Sequence, residues 1–72
     1  MTPEELAQVL ATLRPYGLRP ERLAEVAGYR SRGSIAQMLE GNTRVPPALA
    51  EWLRGLHAWH AAHPPPQLGK PR

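Results

Sequence analysis

Residues 23–44 read LAEVAGYRSRGSIAQMLEGNTR, and the way this run divides decides the fold. Leu23, Ala24, Val26 and Ala27 are spaced to face inward from a short helix that begins near Pro20 and stops at Gly28. Ser31 then stands as an N-cap. Ile35 and Leu39 follow one turn apart, with Met38 beside them, so a second helix carries a narrow apolar stripe and ends where Gly41 supplies a left-handed C-cap. Ala24 is small enough to let the two helices cross closely at a steep angle, and Gly28 supplies the positive φ of the turn between them. This is the layout of a helix-turn-helix.

The remaining faces of the second helix carry Arg32, Gly33, Ser34, Ala36 and Gln37, which are small, polar or cationic. A helix of that kind is shaped to press into a groove. The major groove of DNA admits an α-helix and displays donors and acceptors that Arg and Gln side chains read. Gly33 costs about 1 kcal/mol of helix propensity, a cost consistent with a site of close approach.

The chain has 72 residues, enough for one small domain without separate binding and catalytic lobes. A domain of this size buries only about 60% of its unfolded surface, so a dimer partner or a bound DNA would add stability. Cysteine is absent, which excludes disulfides and Cys-based zinc sites and suits a reducing compartment. No run approaches 18 apolar residues, and Met1 leads into an acidic helix start rather than a basic leader, so a membrane span is not expected and the expected location is cytoplasmic. The net charge of +3 is uneven. Acidic residues outnumber Arg14, Arg19 and Arg22 before Gly28, whereas Arg30, Arg32 and Arg44 surround the central helix and Lys70 and Arg72 end the tail.

Outside the central run, Thr2-Pro3-Glu4-Glu5 opens a helix with an N-cap hydroxyl, a proline at the first helical position and a Glu placed to close a capping box. Leu6, Val9, Leu10 and Leu13 give that helix one buried face until Pro15 and Gly17 end it, with Tyr16 and Leu18 beneath the turn. Val45 stands as a hydrophobic staple before Pro46-Pro47, which start the longest helix, running to about His60 or Ala62. Its stripe is Leu49, Trp52, Leu53, Leu56 and Trp59. The first four suffice to cap a small core, and Trp59 is either tucked against the first helix or exposed for a partner. His57, His60 and His63 recur every third residue, a spacing that drifts around the helix, and no cysteine or acid accompanies them, so no metal is expected. Residues 64–72 form a Pro-rich basic tail, expected to be disordered or polyproline-like, which leaves 1–63 as the domain.

LAEVAG, followed by SIAQMLEGNTRVP, resembles the lambda-repressor-like (Cro/C1, or XRE) family of phage and bacterial DNA-binding domains, over roughly residues 4–57. The resemblance implies an all-α, compact domain of four to five helices. It implies base contacts from Arg32, Gly33 and Gln37 and phosphate contacts from the loop Asn42, Thr43 and Arg44. Ser34, beside them on the polar face, is a further candidate for a base contact. The turn from Gly28 to Ile35 is one residue longer than the usual pattern, and Gly33 stands where a base-reading side chain often sits.

The expected function is therefore a sequence-specific DNA-binding regulator, a small repressor acting without cofactor or catalysis. Arg19, Arg22, Arg30 and Ser31 join the phosphate contacts. A lone domain of this kind binds weakly, so a homodimer on an inverted repeat is expected, with Leu56 and Trp59 at its interface. The alternative is a protein-interaction module, such as an antitoxin or a small phage-encoded inhibitor, in which Trp52, Trp59 and the tail carry the function.

Overall fold

The structure is a computed structural model that describes residues 1–66, 68 and 69, and all regular structure among them is helical. Four α-helices follow one another: α1 (Pro3–Leu13), α2 (Pro20–Ala27), α3 (Gly33–Leu39) and α4 (Pro47–Ala62), with a 3-10 turn at Arg14–Tyr16. α1 is the hub. It packs on both α3 and α4, while α2 joins the core through α3.

Thr2 starts α1 as its residue type dictates, its Oγ1 accepting the Glu5 amide at 3.1 Å, and Leu6, Val9, Leu10 and Leu13 are all buried. The fully buried large side chains are Leu6 and Leu13 from α1, Leu23 from α2, Ile35 from α3 and Leu53 from α4. Each contributes about 1.5–3 kcal/mol of transfer free energy, and every helix is pinned by at least one of them. Val45 and Ala50, the residues before the N-cap and at the fourth position of α4, are both in the core, as the staple requires.

Several details differ from the sequence-based expectation. Pro15 does not simply stop the chain. Its fixed φ suits the first turn of the 3-10 segment, and Tyr16 is left exposed, its ring stacked 4.0 Å from that of His60, while Leu18 is half-buried against the core. Val26 is 51% exposed and Ala27 is exposed too, because α2 is covered only along the Leu23–Ala24 side. α3 begins at Gly33 with Arg32 in the N-cap position, so Ser31, expected as the N-cap, lies one residue further out. In α4, Leu53 and Ala50 are buried and Leu49 and Leu56 half-buried, but Trp52 is 47% exposed. Ala50 and Leu53 lie one turn apart, and α4 is rotated so that their line faces inward. The small Ala50 lets the helix approach closely, whereas an indole there would overfill the core.

The Glu5 carboxylate, which a capping box turns back to the Thr2 amide, is held chiefly by Arg54 of α4, with Nε and Nη2 donating at 2.9 and 3.0 Å. Hydrogen bonding to Arg54 is the main cause that lowers the Glu5 pKa, and the Thr2 amide is the smallest. A carboxylate with a lowered folded pKa adds stability that is fully present above its unfolded pKa and is lost as pH falls through the folded one. Acid titration of the melting temperature should therefore show a descending limb below the ordinary Glu range. Glu5→Gln should flatten part of it, and an unchanged limb would show that the pair makes no contribution.

Pro64, Pro65 and Pro66 are exposed and outside any helix. For Gln67 and residues 70–72 the expectation of a disordered tail lies outside the described residues.

Candidate nucleic-acid interface

The ends of α2 and α3 are built from local chemistry at Gly28 and Gly41. Gly28 has φ 84°, and the Tyr29 and Gly28 amides donate to the Ala24 and Glu25 carbonyls at 2.8 and 3.2 Å, which closes α2 in the paired pattern a left-handed residue permits. Gly41, at φ 81°, closes α3 in the same way, with the Asn42 amide on the Gln37 carbonyl at 2.9 Å and the Gly41 amide on that of Met38 at 3.2 Å. Between these stops α2 packs on α3, with Ala24 only 2% exposed and Leu23 and Ile35 fully buried. The inward face of α3 is Ile35 and Met38, with Leu39 half-buried.

Its outward face presents Arg32, Gly33 and Gln37, all exposed, while Ser34 and Ala36 are half-buried. Ser31 does not accept from the amide at the third helical position. Its Oγ takes the Gly33 amide at 3.2 Å, and a Cβ on residue 33 would stand 3.2 Å from that hydroxyl. A side chain at position 33 would need that hydroxyl to give by a few tenths of an ångström.

Two of the polar side chains are positioned by neighbours. Asn42 Nδ2 donates to Gln37 Oε1 at 3.0 Å and, more weakly, to Glu40 Oε1 at 3.4 Å. The side chain of Asn42, expected on phosphate, is therefore spent on Gln37, whose own amide nitrogen remains available as a donor. The Thr43 amide also reaches the Gln37 carbonyl, at 3.3 Å, so the loop after α3 is fastened to the helix at this residue. Arg32 Nη1 lies 3.2 Å from Glu21 Oε1 at the start of α2. Both side chains are largely exposed, so the pair orients the guanidinium at a cost of at most about 1 kcal/mol to open.

The expected contact residues divide into groups. Arg19, Ser31, Arg32 and Gly33 border one groove of about 870 Å³ between α1 and the starts of α2 and α3. Arg14, which sequence reasoning passed over, borders it too. The available signal was a cation without an acid nearby, directly before a proline that bends the chain toward α2. Arg22 is paired with Glu25 at 2.7 Å on α2. Arg30 is exposed in the turn, and Arg44 borders a separate cleft with Met1 and Glu51. Among the described residues Arg14, Arg19, Arg30 and Arg44 have no ion-pair partner.

Leu56 and Trp59 lie apart from these groups. Leu56 borders a cleft with Tyr16, Val26 and Trp52. Trp59 is 54% exposed rather than tucked against α1, its indole stacked 4.5 Å from the His63 ring and edge-on to His60. His63 Nδ1 donates to the Trp59 carbonyl at 2.9 Å, and no cluster of three metal-ligating side chains occurs among the described residues. No helix among them is long and apolar enough to cross a membrane. Compared with known protein families, curated proteins and solved structures, the chain matches none.

Proposed function

We propose that this chain is a lambda-repressor-like, sequence-specific DNA-binding domain that regulates transcription as a small repressor, bound as a dimer to an inverted repeat and working where the DNA is, in the cytoplasm. The observation that carries this reading is the outward face of α3. Arg32, Gly33 and Gln37 stand exposed, with Gln37 oriented by Asn42 and Arg32 by Glu21, beside a groove whose other cations, Arg14 and Arg19, are unpaired. α3 enters the major groove with Arg32 donating to guanine and Gln37 to an adenine or thymine edge, while Ser34 at the margin assists. Arg14, Arg19, Arg22, Arg30, Ser31, the backbone of Asn42 and Thr43, and Arg44 hold phosphates and set the register. No catalytic step and no cofactor belongs to this scheme.

A second reading, a protein-interaction module of the antitoxin or inhibitor kind, is favoured by one observation: Trp52 and Trp59 are both about half exposed on one helix.

The test is a gel shift with DNA from upstream of the chain's own gene, repeated over a salt series. Affinity should fall steeply as salt rises, and Arg44→Ala should weaken binding to all sequences alike while reducing the salt slope by about 1. An Arg44→Ala protein with unchanged affinity and slope would remove the loop from the interface. No shift at low salt with any upstream fragment would favour the protein-binding alternative.

A further inference from the structure

The groove between α1 and the starts of α2 and α3 has two unlike ends. A Cβ on Gly41 would stand 3.5 Å from Pro3 Cγ, so the end of α3 lies beside the start of α1. Ala7 and Leu39 therefore border one end of the groove, Ala11 and Ala36 come next, and Arg14 and Arg32 border the other, where Arg19 joins them at the start of α2. Among the lining residues no aromatic ring or side-chain amide occurs, and the one hydroxyl and the one carboxylate, of Ser31 and Glu21, both belong to the arginine end.

That end is net positive. Arg14 and Arg19 have no ion-pair partner among the described residues, and Arg32 shares Glu21 at 3.2 Å with both side chains largely exposed. At the opposite end the neighbouring charges are Glu4 and Glu40, next in the chain to Pro3 and Gly41, and neither lines the groove. An anion is drawn to one end and repelled from the other.

We propose that this groove binds a medium-chain carboxylate, its head on Arg14, Arg19 and Arg32 and its chain laid over Ala11 and Ala36 toward Ala7 and Leu39. The planar fork of a guanidinium matches a carboxylate with two parallel hydrogen bonds. A floor of methyl and methylene groups suits an alkyl chain, offers a sugar or a nucleobase nothing to hydrogen-bond, and gives an aromatic ligand no ring to stack on. Size selects as well. At about 870 Å³ the groove falls in the range of roughly 300–1,000 Å³ common to small-ligand sites. Ala7 to Arg14 spans about 10 Å along α1 at ~1.5 Å per residue, the reach of an extended medium-chain acid, and a strip this short does not supply the ~1,000 Å² that a specific protein partner covers.

The site stands on this geometry alone. Only its consequence rests on the DNA reading above: a bound acid occupies Arg14 and Arg19, which that reading gives to phosphates, so the ligand acts as an inducer that weakens the DNA complex.

The test is titration of the full chain with octanoate, below its micelle range and without DNA, followed by backbone amide NMR. Shifts should saturate at Ala7, Ala11, Ala36 and the start of α2, with Trp52 and Trp59 unmoved. Octanol, which has the chain without the charge, and acetate, which has the charge without the chain, should each bind at least about tenfold more weakly. Arg14→Gln combined with Arg19→Gln should weaken octanoate at least about tenfold. Ala11→Gln, a good helix former at an exposed position, should obstruct the floor and weaken binding while leaving the melting temperature nearly unchanged. No saturable shift at millimolar octanoate, shifts centred on Trp52 and Trp59 instead, or equal binding of octanol or by the arginine variant would each overturn the proposal. Acetate binding as tightly as octanoate would leave an adventitious anion only, and a leucine- and glutamate-rich amphipathic peptide that displaces octanoate at lower concentration would assign the groove to a protein partner; both overturn it. Octanoate seated in the groove with an unaffected gel shift would leave the site standing and remove Arg14 and Arg19 from the DNA contacts, whereas octanoate binding by a chain that shifts no DNA would refute the DNA reading alone.

Discussion

Leu53→Ala is expected to remove a large part of the stability of the fold. Leu53 is the one fully buried large side chain of α4, and the other buried residue of that helix, Ala50, has only a methyl to offer. Truncating a buried leucine costs about 2–5 kcal/mol, part of it from the cavity left behind. A chain of this length has roughly 4–10 kcal/mol in all, at the usual stability per residue, and its small core places it toward the lower end. α4 also carries Arg54, so loosening the helix releases the Glu5 contact as well. Thermal melts followed by helical circular dichroism should show the midpoint falling by about 10 °C or more. A drop of only a few degrees would mean that α4 is fixed to α1 by its half-buried neighbours rather than by Leu53.

The second large effect concerns recognition. Gln37→Ala removes an exposed side chain that contributes nothing to the core, so the melting temperature should stay nearly constant. Under the proposed DNA reading, the same change should lose about 1–3 kcal/mol of discrimination at one base position while sparing non-specific affinity. Arg32→Ala should behave likewise at a neighbouring position. The protein-binding alternative gives the reverse pattern, indifference at Gln37 and sensitivity at Trp59. Binding to a panel of single-base operator variants decides between them: if neither substitution relaxes specificity anywhere, α3 does not read bases.

The sequence made legible those features that depend on one or two neighbouring residues. The Thr2 cap, the glycine stops at 28 and 41, the proline start of α4 and the stripe of α1 are all local, and all four were read correctly. One local expectation differs, the start of α3, where Ser31 stands one residue outside the N-cap position, and the larger differences are of rotation. The stripe Leu49, Trp52, Leu53, Leu56 is wider than the strip α1 can cover, and the side chosen depends on volume: Ala50 fits against α1 and Trp52 does not. Val26 went astray for the same reason, since periodicity marks an apolar face without saying how much of it a partner reaches. In the candidate site, residue types and their helix were legible, but the couplings were not. Arg32 with Glu21 and Glu5 with Arg54 join different helices, and the use of Asn42 on Gln37 depends on how the loop returns. Arg14 was missed because its neighbours in the groove come from later in the chain.

The distribution of proline has one more consequence. α1, the 3-10 turn, α2 and α4 each have proline in their first turn, where a φ fixed in advance lowers the entropy lost on ordering; α3 has none. With seven residues, glycine at its first position, no capping bond from the side chain of its N-cap residue Arg32 and only the Ser31 hydroxyl on the Gly33 amide, α3 has little local support and owes its shape to Ile35 and Met38. Its first turn is accordingly where native-state opening is cheapest. A surface that closes over Arg32 and Gly33 would suppress that fraying, and part of its binding free energy would be spent on completing the helix it grips.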